Sequence, residues 1–426
     1  MKFDVELAKR SLADDPELAL AARYWNATVV LKDDEVSYSI QFEKGKVVDF
    51  LEGAVEAATV TLTTSTENWD KMLEPIPVPF WTEPAAALFY RDGALEIAGD
   101  YEQDVQPYYR AIRRLVANLR EGLNGGTDGV VKTVPKVEKT FDSIVGRYVY
   151  ITVDDVQYRV YYEESGTGIP VVCQHTAGSD GRQYRHFLED ETLQESFRMI
   201  AYDLPYHGKS NPPSNKEWWT EEYNLTQDFL IKFVKAFNRA LGLERPIFLG
   251  CSIGGFLAPD LALALPGEFR AVISMNGGVF LGAEPEIHVV SGFLNPRVSD
   301  GWKGGSQMGV MAPDTPEAYR RETAWYYDQG APPVFSGDLN YWYFDHDLRG
   351  RLAEIDTSKT AVYVVAGDYD QSIREELGDL GAPGLAAGIP GAKYIFVEQG
   401  GHFLMCESPE QFKDIIHPIL AEIAAS

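Results

Sequence analysis

The hexapeptide Gly250-Cys251-Ser252-Ile253-Gly254-Gly255 constrains this chain more than any other feature. It follows the apolar run PIFL and precedes GFLAPDLALAL, which reads as a helix. A G-x-S-x-G pattern between strand and helix marks a sharp turn, and the flanking glycines are required because a Cβ on either side would clash. Such a turn lifts the serine hydroxyl above the end of a sheet. It also places the free N–H groups of a helix N-terminus beside it, where they suit a developing oxyanion.

The sheet that such a turn needs is legible. From about residue 145 the chain carries the apolar runs YVYITV, QYRVYYEE, IPVVCQH, FRMIAYDL, PIFLGCS, FRAVISMN, TAVYVVAGD and KYIFVEQ. Between most of the later ones lie amphipathic stretches such as EEYNLTQDFLIKFVKAFNRALG. This predicts an α/β architecture: a mostly parallel, eight-stranded sheet with helices on both faces. Residues 280 to about 350 are rich in Trp, Tyr, Gly and Pro, fit no βα unit, and read as an insertion over the end of the sheet. Residues 1–122 have another texture. Short alternating runs (ATVVLKD, SYSIQFEKG, KVVDFLEG, ATVTLTTS) predict antiparallel strands, and PYYRAIRRLVANLREGL predicts a closing helix. They form a smaller α+β domain, joined by a linker over 123–141 to a second domain over 142–426.

Composition excludes other classes. The 426 residues suit roughly two to three domains. A formal charge of −26 repels phosphate backbones and anionic membranes, which argues against nucleic acid as a partner. Cys173, Cys251 and Cys406 make neither a disulfide framework nor a zinc pattern. The charged N-terminus lacks the apolar core of a signal peptide, and no apolar stretch is long enough for a membrane span, so a cytoplasmic location is expected. The expected partner is an apolar small-molecule substrate, with a homodimer allowed. No cofactor and no metal are expected.

A nucleophilic serine needs a base. His402, in GGHF after KYIFVEQ, falls on a loop at the carboxyl edge of the sheet, the same edge as Ser252. His175, His186, His207, His288, His346 and His417 have structural readings. The acid that fixes the imidazole tautomer is sought after TAVYVVAG. Asp370 is preferred over Asp368, because the loop must reach His402 while Asp368 sits at the strand end as a turn residue. The oxyanion donors are the backbone N–H groups of Ile253, next to the nucleophile, and Ala177, in the loop His175-Thr176-Ala177-Gly178-Ser179.

With these residues in hand, 145–426 resembles the α/β-hydrolase superfamily. HTAGS, DLPYHGKS, GCSIGG, then GDYD and GGHF fall in that superfamily's order. DLPYHGKS is similar to the family's D-x-P-G-H-G-x-S turn, with Tyr206 replacing a glycine, and the resemblance implies a packing role for His207. Thr176 replaces a glycine common at the oxyanion loop, which implies either a narrowed site or a contact with substrate. A serine at 252, where the otherwise similar haloalkane dehalogenases and epoxide hydrolases carry aspartate, argues against those two activities. The insertion resembles the family's cap. Its aromatics, with Trp302, Trp325, Tyr341 and Trp342 taken as substrate-binding, imply an apolar pocket. Asp345, His346 and Asp347 lack a metal-ligand spacing.

Residues 1–122 are similar, through the strand order, GALEIAGDY and the closing helix, to the sterol-carrier-protein type 2 fold. That resemblance implies a lipid tunnel near Phe80, Trp81, Leu88 and Phe89, and the alternative is a domain that covers or dimerises. The expected activity is a carboxylesterase or lactonase working through Ser252, His402 and Asp370. A C–C hydrolase for diketone-like substrates and a non-catalytic small-molecule or lipid binder are the alternatives.

Overall fold

The computed structural model describes residues 1–55, 57–91, 93–126, 131–281 and 299–426. The chain forms two compact units. The first joins Met1–Thr133 to Arg297–Asp328, and the second joins Val134–Pro296 to Gln329–Ser426.

The first unit is built on a five-stranded sheet of β1 (Ala27–Lys32), β2 (Ser37–Glu43), β3 (Lys46–Glu52), β4 (Val60–Thr63) and β5 (Glu96–Gly99), in the order β3-β2-β1-β4-β5. β1 pairs antiparallel with β2 and parallel with β4. Helix Tyr109–Leu123 buries Tyr109, Ile112, Leu115, Val116 and Leu119, the three-to-four spacing of an amphipathic helix. The sequence reading put all of 280–350 in the cap of the second domain, but helices Asp300–Gln307 and Glu317–Asp328 belong to the first unit. Trp302 is buried edge-on to Tyr109 and Phe89, with centroids 4.8 and 5.7 Å away. Arg321 reaches Glu17 at 2.7 Å. The physical reason is that this stretch carries both an apolar plug and cations, whose partners lie some 200 to 300 residues earlier. The linker expected over 123–141 is also shorter at its start: the Val131 carbonyl accepts the Glu317 N–H at 2.8 Å and ties that segment into the first unit.

The second unit holds eight strands: β6 (Val145–Val153), β7 (Val156–Ser165), β8 (Ile169–Gln174), β9 (Phe197–Tyr202), β10 (Ile247–Cys251), β11 (Ala271–Met275), β12 (Ala361–Gly367) and β13 (Lys393–Val397). Their order is β13-β12-β11-β10-β8-β9-β7-β6. From β9 to β13 neighbours are parallel, while β7 meets β9 and β6 antiparallel. Every residue of β10 and β11 is buried, as expected for central strands covered on both faces. The remaining part of the insertion includes the helix Pro332–Asn340. His288 lies outside the described residues.

Candidate active site

β10 ends at Cys251, and Ile253–Ala264 begins a helix at once, leaving Ser252 alone in the turn. Its φ of 56° and ψ of −117° put a serine in backbone space that favours glycine, strain of order 1–3 kcal/mol held by its surroundings. The Ser252 N–H donates to the Met275 carbonyl at 3.1 Å. The Ser252 side chain makes no capping hydrogen bond to the helix it precedes, so its hydroxyl is not spent there. The flanking glycines are compulsory: a Cβ on Gly250 would sit 2.1 Å from the Gly254 carbonyl oxygen, and one on Gly254 2.6 Å from the Gln174 side chain.

His402 follows β13 and is nearly buried. Its Nδ1 is hydrogen-bonded to Asp370 Oδ2. Asp370 is fully buried, and its second oxygen accepts the Ser372 N–H at 2.7 Å, which fixes the carboxylate plane. This leaves Nε2 as the imidazole nitrogen for base chemistry. Asp368, the other sequence candidate, accepts the Gly400 N–H at 3.0 Å and fastens the start of the histidine loop. The two aspartates thus do different local work, one on a ring and one on a backbone.

Two residues that the sequence reading passed over attach the histidine loop to the elbow. The buried Cys251 thiol donates to the His402 carbonyl at 3.0 Å. Asn276, at the carboxyl end of β11, donates from Nδ2 to the same carbonyl at 2.9 Å and accepts the Gly367 N–H at 3.3 Å. Its signal was present: a polar residue directly after the apolar strand AVISM has reached the sheet edge.

The loop after β8 has its amides divided. The Thr176 N–H and hydroxyl both donate to Gln183 Oε1, at 2.9 and 3.1 Å, and the Gly178 N–H donates to Asp338 Oδ2 at 2.7 Å. Between them, the Ala177 N–H has no hydrogen-bond acceptor among the described residues, and neither has the Ile253 N–H. These are the two amides that the sequence singles out as oxyanion donors. Thr176, expected to contact substrate, is buried with its hydroxyl turned to Gln183.

Two neighbouring histidines at this edge are shifted in opposite directions. His175 donates from Nδ1 to the Thr176 carbonyl at 2.8 Å and accepts the Leu204 N–H at Nε2 at 3.1 Å. Burial and the neighbouring His207 push its pKa down to about 4, so it is neutral. His207 lies in full burial too, but Asp338 accepts from its Nε2 at 2.8 Å and raises its pKa against the cost of burial. Tyr206, where the resembled turn carries glycine, has a φ of 74° and packs against Tyr223 with centroids 4.6 Å apart and the rings tilted by 49°. His346 is engaged by Asp260 at 2.9 Å and by the Gly278 carbonyl at 3.1 Å, so it is a paired core histidine. No group of three metal-ligating side chains occurs among the described residues.

The expected substrate aromatics separate. Tyr341 and Trp342 belong to the second unit, with the Tyr341 hydroxyl on Asp260 at 2.6 Å and Trp342 edge-on to Phe256. Trp302 and Trp325 belong to the first unit, one as its core and the other 57% exposed. In the first unit a cavity of about 790 Å³ is lined by Arg113, Arg114, Arg120, Arg320 and Arg321 with Glu17, Glu83, Glu121 and Glu317. These ion pairs share the lining with Pro75, Ile76 and Pro77, and Phe80, Trp81, Leu88 and Phe89, near which the tunnel is expected, are not part of it.

Sheet order, elbow and edge loops make the second unit an α/β-hydrolase fold. Residues 169–304 match the family described as the alpha/beta hydrolase fold. Among curated proteins, the chain is 31% identical over 129 residues to bifunctional epoxide hydrolase 2 of Sus scrofa, covering 30% of this chain and 22% of that one. It is 26% identical over 145 residues to a 2-hydroxy-6-oxononadienedioate/2-hydroxy-6-oxononatrienedioate hydrolase of Cupriavidus pinatubonensis, covering 33% and 48%. The chain spans between about a fifth and a half of the length of these relatives. Among solved structures it is similar to the enol-lactonase of Burkholderia xenovorans LB400, with a TM-score of 0.54, 18% identity, and coverage of 64% of this chain and 99% of that one. Among the described residues, no helix is long and apolar enough to cross a membrane.

Proposed function

We propose that the protein is a serine hydrolase that cleaves a carboxylic ester or lactone of a bulky, aromatic or cyclic apolar small molecule. The observation that carries this reading is the buried Asp370–His402 hydrogen bond on the loops fastened to the strained Ser252 turn. Ser252 Oγ attacks the acyl carbon while His402 Nε2 takes its proton, and Asp370 stabilises the resulting imidazolium. The Ile253 and Ala177 amides receive the oxyanion. His402 then returns the proton to the leaving alkoxide, and the carbonyl reforms as an acyl-Ser252. Water, deprotonated by His402, resolves the acyl-enzyme to acid and free serine.

Serine at 252, rather than the carboxylate nucleophile associated above with epoxide hydrolases, separates the reading from the porcine relative's name. C–C bond hydrolysis of a diketone-like substrate is the second reading, favoured by the relatives named for oxononadienedioate hydrolysis. Those names describe dianions, and no paired cations mark the elbow in the sequence. An apolar ester or lactone therefore ranks first.

The test is hydrolysis of p-nitrophenyl esters, aryl lactones and a diketone panel by the full chain and by Ser252→Ala. Ester or lactone turnover lost in Ser252→Ala, with a fluorophosphonate adduct at Ser252 by mass spectrometry, supports the proposal. Turnover of diketones alone moves the function to the second reading. Turnover that persists in Ser252→Ala, or tight ligand binding with no turnover at all, defeats it.

A further inference from the structure

We propose that Asp338, on an insertion helix, is the positioning residue that holds the oxyanion loop in its working shape; this rests on the serine-hydrolase reading above. Asp338 is fully buried and divides its carboxylate three ways. Oδ2 accepts the Gly178 N–H at 2.7 Å and the His207 Nε2–H at 2.8 Å, while Oδ1 accepts the Tyr223 hydroxyl at 2.9 Å. No sequence pattern marks it: it is one aspartate in PPVFSGDLN, 160 residues from the loop it holds.

The same helix, Pro332–Asn340, grips Gly178 a second time. Phe335, one turn before Asp338, packs where a side chain at 178 would stand: a Cβ there would lie 2.7 Å from the Phe335 Cβ, and the Gly178 φ is +67°. The helix is in turn tied to the preceding segment. The Gly337 carbonyl accepts the Leu225 N–H at 2.9 Å, and Asn340 Nδ2 donates to the Leu225 carbonyl at 3.0 Å.

These contacts bear on one peptide unit. In a trans peptide the carbonyl and the N–H point in opposite directions. The Thr176 carbonyl is held by the His175 Nδ1–H at 2.8 Å, so the Ala177 N–H of the same unit is aimed away from His175. His175 keeps that role only as a neutral ring donating from Nδ1, since its Nε2 accepts the Leu204 N–H. His175's own burial is the main reason it takes no second proton, and His207, ring centroids 4.8 Å apart and facing acceptors at both nitrogens, the Pro205 carbonyl at 2.9 Å and Asp338 at 2.8 Å, adds to that bias. Asp338 therefore acts on both sides of Ala177. It pins the next amide directly, and it holds the His207 ring that packs beside His175, whose Nδ1–H aims the carbonyl before it. An oxyanion donor must sit where charge develops, and removing one costs about 10²–10³-fold in rate. A loosened donor costs part of that.

The experiment measures p-nitrophenyl acetate hydrolysis, inhibition by an alkyl trifluoromethyl ketone, and thermal unfolding for wild type, Ser252→Ala, Asp338→Ala, Asp338→Asn and Phe335→Ala. Asp338→Ala should lower kcat on the order of 10- to 100-fold, leave KM within about threefold, and weaken the trifluoromethyl ketone in proportion to kcat/KM. That proportionality is the mark of a lost transition-state contact. Asp338→Asn retains an oxygen for Gly178 but loses the charge facing His207. It should be destabilised like the alanine variant yet regain most of the lost kcat. Phe335→Ala, which removes no charged group, should lower kcat several-fold with the same proportionality, and it decides the matter should Asp338→Ala not fold. A Ser252-dependent kcat within twofold of wild type in folded Asp338→Ala, or in Phe335→Ala where Asp338→Ala does not fold, overturns the proposal. Equal kcat losses in the alanine and asparagine variants do the same. Hydrolysis undiminished in Ser252→Ala instead removes the serine-hydrolase reading, and this inference with it.

Discussion

The two units give their carboxylates different basic partners. In the first, they are arginines. Arg113 donates to Glu83 at 2.8 Å, Arg114 lies 2.6 Å from Asp15 and 2.7 Å from Glu121, and Arg321 joins Glu17 to Glu317. In the second, at the carboxyl edge of the sheet, they are histidines: His402 with Asp370, His207 with Asp338, and nearby His346 with Asp260. Guanidinium stays charged at any pH a protein survives, so a network of it fixes geometry and nothing else. Imidazole gains and loses its proton near neutrality, so the same kind of contact becomes a device for moving protons or for choosing a tautomer. The arginine network secures helices far apart in the chain. The histidine pairs lie in the unit that carries the residue read as the nucleophile.

The sharpest way to break this contrast is to change the acid of one histidine pair. Asp370→Asn should lower kcat on the order of 10⁴-fold, because an amide favours the wrong imidazole tautomer. Asp368→Asn, which touches only the Gly400 amide, should change it a few-fold at most. Steady-state kinetics on one ester decide, and the reverse ranking would move the acid to Asp368.

In the first unit the expected effect falls on stability. Arg113→Met removes the guanidinium hydrogen-bonded to the buried Glu83 and should cost about 3–5 kcal/mol. Burial already pushes the Glu83 carboxyl above its usual range despite the arginines around it. Adding Glu83→Gln should restore at least half the loss. Urea unfolding of the single and double variants checks this, and strictly additive losses would mean that the pair does not act as one. Truncation before residue 140 would be a poor probe of this unit, since it strips Trp302 of Phe89 and Tyr109.

The smallest of these effects is a pH slope. The folded pKa of His175 is about 4, below the 6.5 of a free imidazole side chain, so acid favours the unfolded chain. Its contribution is present in full above pH 6.5 and is lost as pH falls towards 4, on the order of 3 kcal/mol at most. His207 has the opposite sign: its raised pKa gives stability present below pH 6.5 and lost as pH rises through the folded value. Unfolding midpoints between pH 4 and 7 should fall less steeply in His175→Asn than in wild type. Parallel curves would remove His175 as a buried neutral ring.

Much of the second unit was legible in the chain. Its central strands announce themselves as unbroken apolar runs, because a strand covered on both faces has no polar side to show, whereas the edge strands β6 and β13 are largely exposed. The elbow is legible because sterics leave few residue choices there: Gly250 and Gly254 face backbone or side chain within 2.6 Å of any added Cβ. His402 and Asp370 were legible because both follow strands and so reach one edge of the sheet. Asn276 carried a weaker form of that signal. Asp338 carried none, and neither did the division of the insertion, in which Trp302 joins the core of the first unit while Tyr341 reaches Asp260 in the second. Local sequence determines periodicity, turns and the edge at which a loop emerges, because those depend on near neighbours along the chain. Which aspartate finds Gly178, and which tryptophan fills a core begun 200 residues earlier, depends on partners that only tertiary packing brings within hydrogen-bond or van der Waals reach.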